Sequence, residues 1–128
     1  MTTDQEKMGT LTALIIDDET DICFLLSNIL RNSNLNVQYV NSIKEGKSAL
    51  KKNEHNLLFL DNHLPDGFGI DSIHSIKKEH AATKIVMMTA HDTPEDRKRA
   101  LSEGADIFIG KPFSTVEIKN VIKQLFPQ

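Results

Sequence analysis

The stretch Leu14-Ile15-Ile16-Asp17-Asp18-Glu19 ends an apolar run in three adjacent carboxylates. Two like charges about 4 Å apart repel by about 4 kcal/mol at an effective dielectric near 20. The chain can relieve that repulsion by turning the groups into water or by holding a cation among them. The apolar half is continuous rather than alternating, as expected for a strand covered on both faces. Four further runs of this kind follow, at 37–40, 57–60, 85–88 and 107–109. The one at 37–40 is mixed, with Gln38 and Tyr39, which suits a strand at the edge of a sheet.

Amphipathic stretches separate the runs. Ile22, Leu25, Leu26, Ile29 and Leu30 form a helical stripe at i, i+3, i+4 spacing. A second helix over 43–51 is weakened by Gly46, since glycine costs about 1 kcal/mol relative to alanine in a helix. A third, over 70–78, sets Ile70, Ile73 and Ile76 on one side. The fourth opens with Thr93 as cap and Pro94 in the first helical position, and Gly104 is placed to end it. The fifth opens Ser114-Thr115-Val116-Glu117, a capping box, and its apolar face is Ile118, Val121, Ile122 and Leu125. This is β-α five times over. It predicts an α/β, three-layer (βα)5 doubly wound sandwich: a parallel sheet with helices on both faces, joined by right-handed crossovers. Residues 1–10 read as a flexible lead, and 11–128 as one domain with no linker or repeat.

Composition narrows the functional classes. The chain has 128 residues, 39% of them hydrophobic and 26% charged, which is ordinary for a globular domain. A net charge of −3 argues against direct nucleic-acid binding. No apolar run approaches the ~20 residues of a membrane span. The polar N-terminus lacks the apolar core of a signal peptide, and the lone Cys23 has no internal disulfide partner. The expectation is a cytoplasmic protein, with Cys23 a small helix residue.

The unusual polar residues collect at one edge of the predicted sheet. Asp17 and Asp18 follow the first strand, Asp61 the third, Thr89 closes the fourth, and Lys111 follows the fifth. Ligands of open α/β sheets bind past the carboxyl ends of the strands. Taken singly, each residue has a plain explanation as a helix cap, turn former, strand end or surface lysine. Taken together they make coherent chemistry. Carboxylates suit a hard divalent cation such as Mg²⁺ with oxygen ligands. A lysine ammonium and a threonine hydroxyl suit a phosphoryl group. An aspartate can accept that group covalently.

With "IIDDE", "FLDNHLPDGFG", "MMTA" and "EGADIFIGKPF" in this order and spacing, the sequence resembles the receiver domain of two-component response regulators. The resemblance covers about Thr12 to Phe126. It implies five parallel strands in the order 2-1-3-4-5, the order for which a member of that family is a standard example. It implies that Asp61 takes the phosphoryl group from a sensor histidine kinase or a histidine phosphotransfer protein. Mg²⁺ (or Mn²⁺) would be held by Asp18 directly, Asp17 through water, Asp61, and the backbone carbonyl of His63. Thr89 and Lys111 would engage the phosphoryl oxygens, with the small Ala90 beside them and a cis bond before Pro112. Phe108 matches the aromatic switch position, although it is equally well explained as a core residue.

On that resemblance the protein is a phosphorylatable switch rather than an enzyme in the ordinary sense. Phosphorylation draws Thr89 inward, Phe108 turns in behind it, and the surface of the fourth helix, fifth strand and fifth helix changes shape. A downstream protein target or output domain reads that surface, which is also where a homodimer could form. His63 and His91 fall two beyond Asp61 and Thr89, at variable positions that tune phosphoryl lifetime in the family. Asn62 replaces the aliphatic residue common after the acceptor. Two rivals fit less well. A flavodoxin-like carrier needs a phosphate-binding loop where Asp17-Asp18-Glu19 stands. An aspartate phosphatase commonly has a second carboxylate two residues after its nucleophile, and position 63 is histidine. A degenerate receiver used only for docking is disfavoured by the presence of every key side chain.

Overall fold

The computed structural model describes residues 10–127. The lead read over 1–10 therefore lies, apart from Thr10, outside the described residues. In chain order the elements are β1 (Leu11–Ile16), α1 (Thr20–Asn32), β2 (Leu35–Val40), α2 (Ile43–Lys52) and β3 (Leu57–Asp61). A short hairpin of β4 (His63–Leu64) and β5 (Gly67–Phe68) follows, then a 3-10 turn over Gly69–Ser72 and α3 (Ile73–Glu79). The chain continues through β6 (Lys84–Thr89), α4 (Pro94–Glu103), β7 (Ile107–Gly110) and α5 (Thr115–Leu125). The main sheet is parallel throughout, in the order β2-β1-β3-β6-β7. That is the expected 2-1-3-4-5 once the hairpin is set aside.

Side-chain alternation along the strands builds two cores. Ala13, Ile15, Phe59, Val86 and Met88 face α1 and α5, whose Leu26, Leu30, Ile118 and Val121 cover them. Leu14, Ile16, Leu58, Leu60, Ile85 and Met87 face the other way, onto Leu50 of α2, Ile73 and Ile76 of α3, and Ala100 of α4. Burial on both faces is why these strands read as unbroken apolar runs. The mixed run is indeed at an edge: β2 leaves Tyr39 exposed.

Thr93 and Ser114 cap as read, each accepting a hydrogen bond from the amide three residues on, and Ser114 with Glu117 closes the capping box. Ser42, to which the sequence reading gave no role, caps α2 in the same way. Gly46, read only as a weak point, has a packing cause. A Cβ there would run into Ile16 Cδ1 and lie 2.8 Å from its Cγ1, so glycine lets α2 settle against β1.

The third helix departs from expectation, since its first turn is 3-10 and a hairpin precedes it. Pro65-Asp66-Gly67 supplies the turn, and Asn62 pins the return of the chain. The Asn62 backbone carbonyl accepts from Gly69 N at 2.8 Å, and its side-chain Oδ1 accepts from Ile70 N at 3.0 Å. A polar residue at 62 thus ties down the loop that follows the end of β3. Gly69 lies against this same backbone: a Cβ would meet the Asp61 carbonyl oxygen and stand 3.0 Å from Leu60 Cγ. Gly69→Ala is expected to cost about 1–3 kcal/mol in urea unfolding, as overpacking against backbone does. Unchanged stability would show that the loop yields freely.

Asp66 adds a second tie. Its carboxylate accepts from the amides of Ile43 and Lys44, each at 2.9 Å, at the N-terminus of α2. Those two bonds hold its carboxyl below the usual range. A depressed pKa stabilises the fold above the unfolded value near 3.8, and the benefit is lost as pH falls through the folded value. Asp66→Ala should lower Tm at neutral pH and leave it unchanged in acid. An equal Tm difference at both pH values would contradict this.

Candidate functional site

Parallel register brings the ends of β1, β3, β6 and β7 to one edge, with Asp61 opposite Met88 and Thr89 opposite Gly110. Asp17 sits one residue past β1, fully buried, and its amide donates to the Val40 carbonyl at 3.1 Å. Its carbonyl receives Asn41 Nδ2 at 2.9 Å and the Cys23 thiol at 3.2 Å, and its Oδ1 receives the Glu19 amide at 2.9 Å. The side chain is thereby aimed inward. Asp61 ends β3 and is 4% exposed. The amide of Lys111 donates to the Thr89 carbonyl at 2.8 Å, which carries the lysine over the same hollow. The Lys111–Pro112 peptide bond is cis.

The lysine ammonium is the hub. Its Nζ lies 2.8 Å from Asp17 Oδ2, 2.9 Å from Glu19 Oε1 and 3.0 Å from Asp61 Oδ1. Three acids share one base, so about two negative charges remain unbalanced when all are ionised. Burial pushes the Asp61 carboxyl up to about 6, the neighbouring Asp17 adds to the rise, and Lys111 only partly offsets it. Asp17 is raised too, again chiefly by burial. Burial works against the Lys111 charge, but the bonds to Asp17, Glu19 and Asp61 outweigh it and hold its pKa above the ordinary value. Perturbed groups of this kind cluster at functional sites.

Carboxylate oxygens of Asp17, Glu19 and Asp61 all lie within 4.8 Å of one another, a grouping able to hold a divalent ion. All three are hard oxygen donors, which suits Mg²⁺ or Mn²⁺. Asp18, expected to touch the metal, is solvent-exposed and outside this grouping. Glu19, to which the sequence assigned no role, is inside it. Its only signal was membership of the acidic triplet.

Thr89 is 1% exposed, and its Oγ1 accepts the His91 amide at 3.0 Å, so the hydroxyl proton points elsewhere. Ala90 is exposed beside it. Phe108 is 5% exposed and already turned inward. Arg97 covers it, the guanidinium carbon 4.8 Å from the ring centroid, while Nη1 donates to the Phe108 carbonyl at 3.2 Å and Nη2 pairs with Asp92 at 2.8 Å. Arg97 carried no sequence signal, because the contact joins a helix to a strand. His63 and His91 are exposed at the mouth, with ring centroids 5.0 Å apart. Cys23 is buried, and its thiol is pushed up to about 11 by burial and then by the Asp17 charge, which makes it an inert helix residue.

Acids and a lysine thus gather past the strand ends of a parallel doubly wound domain. Residues 13–123 match the response regulator receiver domain, and the chain belongs to that family. It is 32% identical over 115 residues to the response regulator protein PilR of Pseudomonas aeruginosa, covering 90% of this chain and 26% of PilR. It is 36% identical over 105 residues to the regulatory protein VanR of Enterococcus faecium, covering 82% of this chain and 45% of VanR. The chain therefore spans less than half the length of these two relatives. The beryllofluoride-activated NtrC4 receiver domain dimer superposes with a TM-score of 0.86 at 29% identity, over 90% of this chain and 95% of that one. Among the described residues, no helix is long and apolar enough to cross a membrane.

Proposed function

We propose that this chain receives a phosphoryl group on Asp61 and signals through a change in its α4-β7-α5 surface. The observation that carries the reading is the three-way pairing of Lys111 with Asp17, Glu19 and Asp61. It sets a cation and a nucleophilic carboxylate 3.0 Å apart in a hollow otherwise rich in acids.

In the proposed reaction an Asp61 carboxylate oxygen forms a bond to phosphorus. The phosphorus–nitrogen bond of a donor phosphohistidine breaks, and the imidazole leaves with the electron pair and takes up a proton. Asp17, Asp18, Asp61 and the His63 carbonyl are the proposed holders of Mg²⁺, with Glu19 added from its place beside them. When bound, the ion supplies positive charge that offsets the acids and the incoming phosphoryl oxygens. Lys111 leaves its carboxylate partners in part and pairs with a phosphoryl oxygen. The Thr89 hydroxyl, whose lone pair already takes the His91 amide, donates its proton to another.

Phosphorylation adds about −1.5 to −2 charges at this edge. Because Phe108 is already inward under Arg97, the proposed effect is to hold that arrangement rather than to create it. Receivers act by such shifts of population between surfaces. The proposed donor is a sensor histidine kinase or histidine phosphotransfer protein in the cytoplasm. The proposed reader is a downstream protein or output domain, with a homodimer through α4, β7 and α5 as a further form; nucleic-acid contact by this chain is not part of the proposal. The test is amide NMR with and without beryllofluoride and Mg²⁺. Shifts should cluster at the strand ends and across residues 94–122. Changes limited to residues touching Asp61 would refute the signalling surface.

A further inference from the structure

We propose that His63 and His91 form a second metal site, a two-imidazole chelate for a borderline transition-metal ion such as Zn²⁺, separate from the carboxylate grouping.

His63 opens β4, just past β3, and His91 lies in the loop after β6; both line one hollow. Their ring centroids are 5.0 Å apart and the planes are inclined by 60°. That separation is informative. Zinc sits about 2.0–2.1 Å from an imidazole nitrogen, and the ring centre lies roughly 1.2 Å further back. Two imidazoles at a tetrahedral angle on one ion therefore have centroids about 5 Å apart. The observed centroid spacing equals that of a chelating pair.

The surroundings favour it. Phe68 packs edge-on against His63 at 5.5 Å between centroids, which steadies that ring. The pair borders a hollow of about 400 Å³, room for the waters that complete a four-coordinate ion. Asp96 and Asp71 share its wall, Arg99 pairs with Asp71 at 2.6 Å, and His63 and His91 are the imidazoles on that wall. Ligand type separates the two sites. Neutral imidazole suits zinc, nickel and copper, while the carboxylate oxygens of Asp17, Glu19 and Asp61 suit magnesium.

Calorimetric titration of Zn²⁺ into the zinc-free protein, with Mg²⁺ held in excess, tests the proposal. One equivalent should bind. His63→Ala and His91→Ala should each weaken binding by about tenfold or more, since each removes one of two protein ligands. His74→Ala, which lies outside the pair, and Asp61→Asn should both bind as wild type does. Both histidines are exposed, so their variants should keep the wild-type Tm without metal. Equal zinc affinity in the double His63→Ala, His91→Ala variant overturns the proposal. So does zinc binding that is lost in Asp61→Asn but kept in the histidine variants, because the ion would then sit among the carboxylates.

Discussion

Asp61→Asn is expected to abolish phosphoryl incorporation from an acyl phosphate donor with Mg²⁺, while making the metal-free protein more stable. The first effect follows from the loss of the carboxylate nucleophile; the amide is a poor substitute. Intact-protein mass spectrometry should show one added phosphoryl group on wild type and none on the variant. The second effect follows from burial. The Asp61 carboxyl rises from 3.8 to about 6 in the fold, so ionising it works against folding. A group with a raised folded pKa gives stability that is full below the unfolded pKa and is lost as pH rises through the folded one. At about 1.4 kcal/mol per unit, the loss for Asp61 is on the order of 3 kcal/mol. Metal-free wild type should therefore lose stability between the unfolded value near 3.8 and about 6, while Asp61→Asn escapes that part of the loss. A variant less stable than wild type at neutral pH would mean that the Lys111 bond outweighs the burial.

Lys111→Ala carries the other large effect. The side chain is 8% exposed and is the shared partner of three carboxylates. Removing one partner of a buried pair costs about 3–5 kcal/mol, because the remaining charge is left buried and uncompensated. Protonation gives Asp17 and Asp61 an escape. Both are raised already, and without the ammonium they rise further. The penalty should thus be small in acid and grow as pH climbs through their raised values. Mg²⁺ should recover much of it, by binding the folded state alone. Urea unfolding at about pH 5 and about pH 8, with and without Mg²⁺, reads all three trends. A penalty independent of pH and of Mg²⁺ would assign Lys111 a packing role only. The signalling consequence is separate: the variant should still take up some phosphoryl group at Asp61 yet fail to shift residues 94–122.

The sequence revealed what parallel topology dictates and hid what depends on side-chain direction. Asp17, Asp61, Thr89 and Lys111 could be grouped because each ends or follows a strand, and register brings strand ends together. The capping residues Thr93 and Ser114 were legible for a similar reason, since their partners lie three residues away. Within the acidic triplet, sequence could not tell which carboxylates point at Lys111. Asp17 and Glu19 do in this structure, and Asp18 faces solvent. Arg97 over Phe108, and Gly46 under Ile16, join elements distant in sequence and leave no local pattern. The β4-β5 hairpin escaped notice because two-residue strands are too short to show a period.

The most direct measurement is chemical trapping of the phosphorylated residue. Wild type is incubated with an acyl phosphate and Mg²⁺, reduced with borohydride, and digested for peptide mass spectrometry. Borohydride converts an aspartyl phosphate to homoserine. The arrangement of Lys111 against Asp61 predicts homoserine at position 61 alone, and none when Mg²⁺ is chelated beforehand. Conversion at Asp17 or Asp18 instead, or no conversion despite intact fold and bound Mg²⁺, would contradict it.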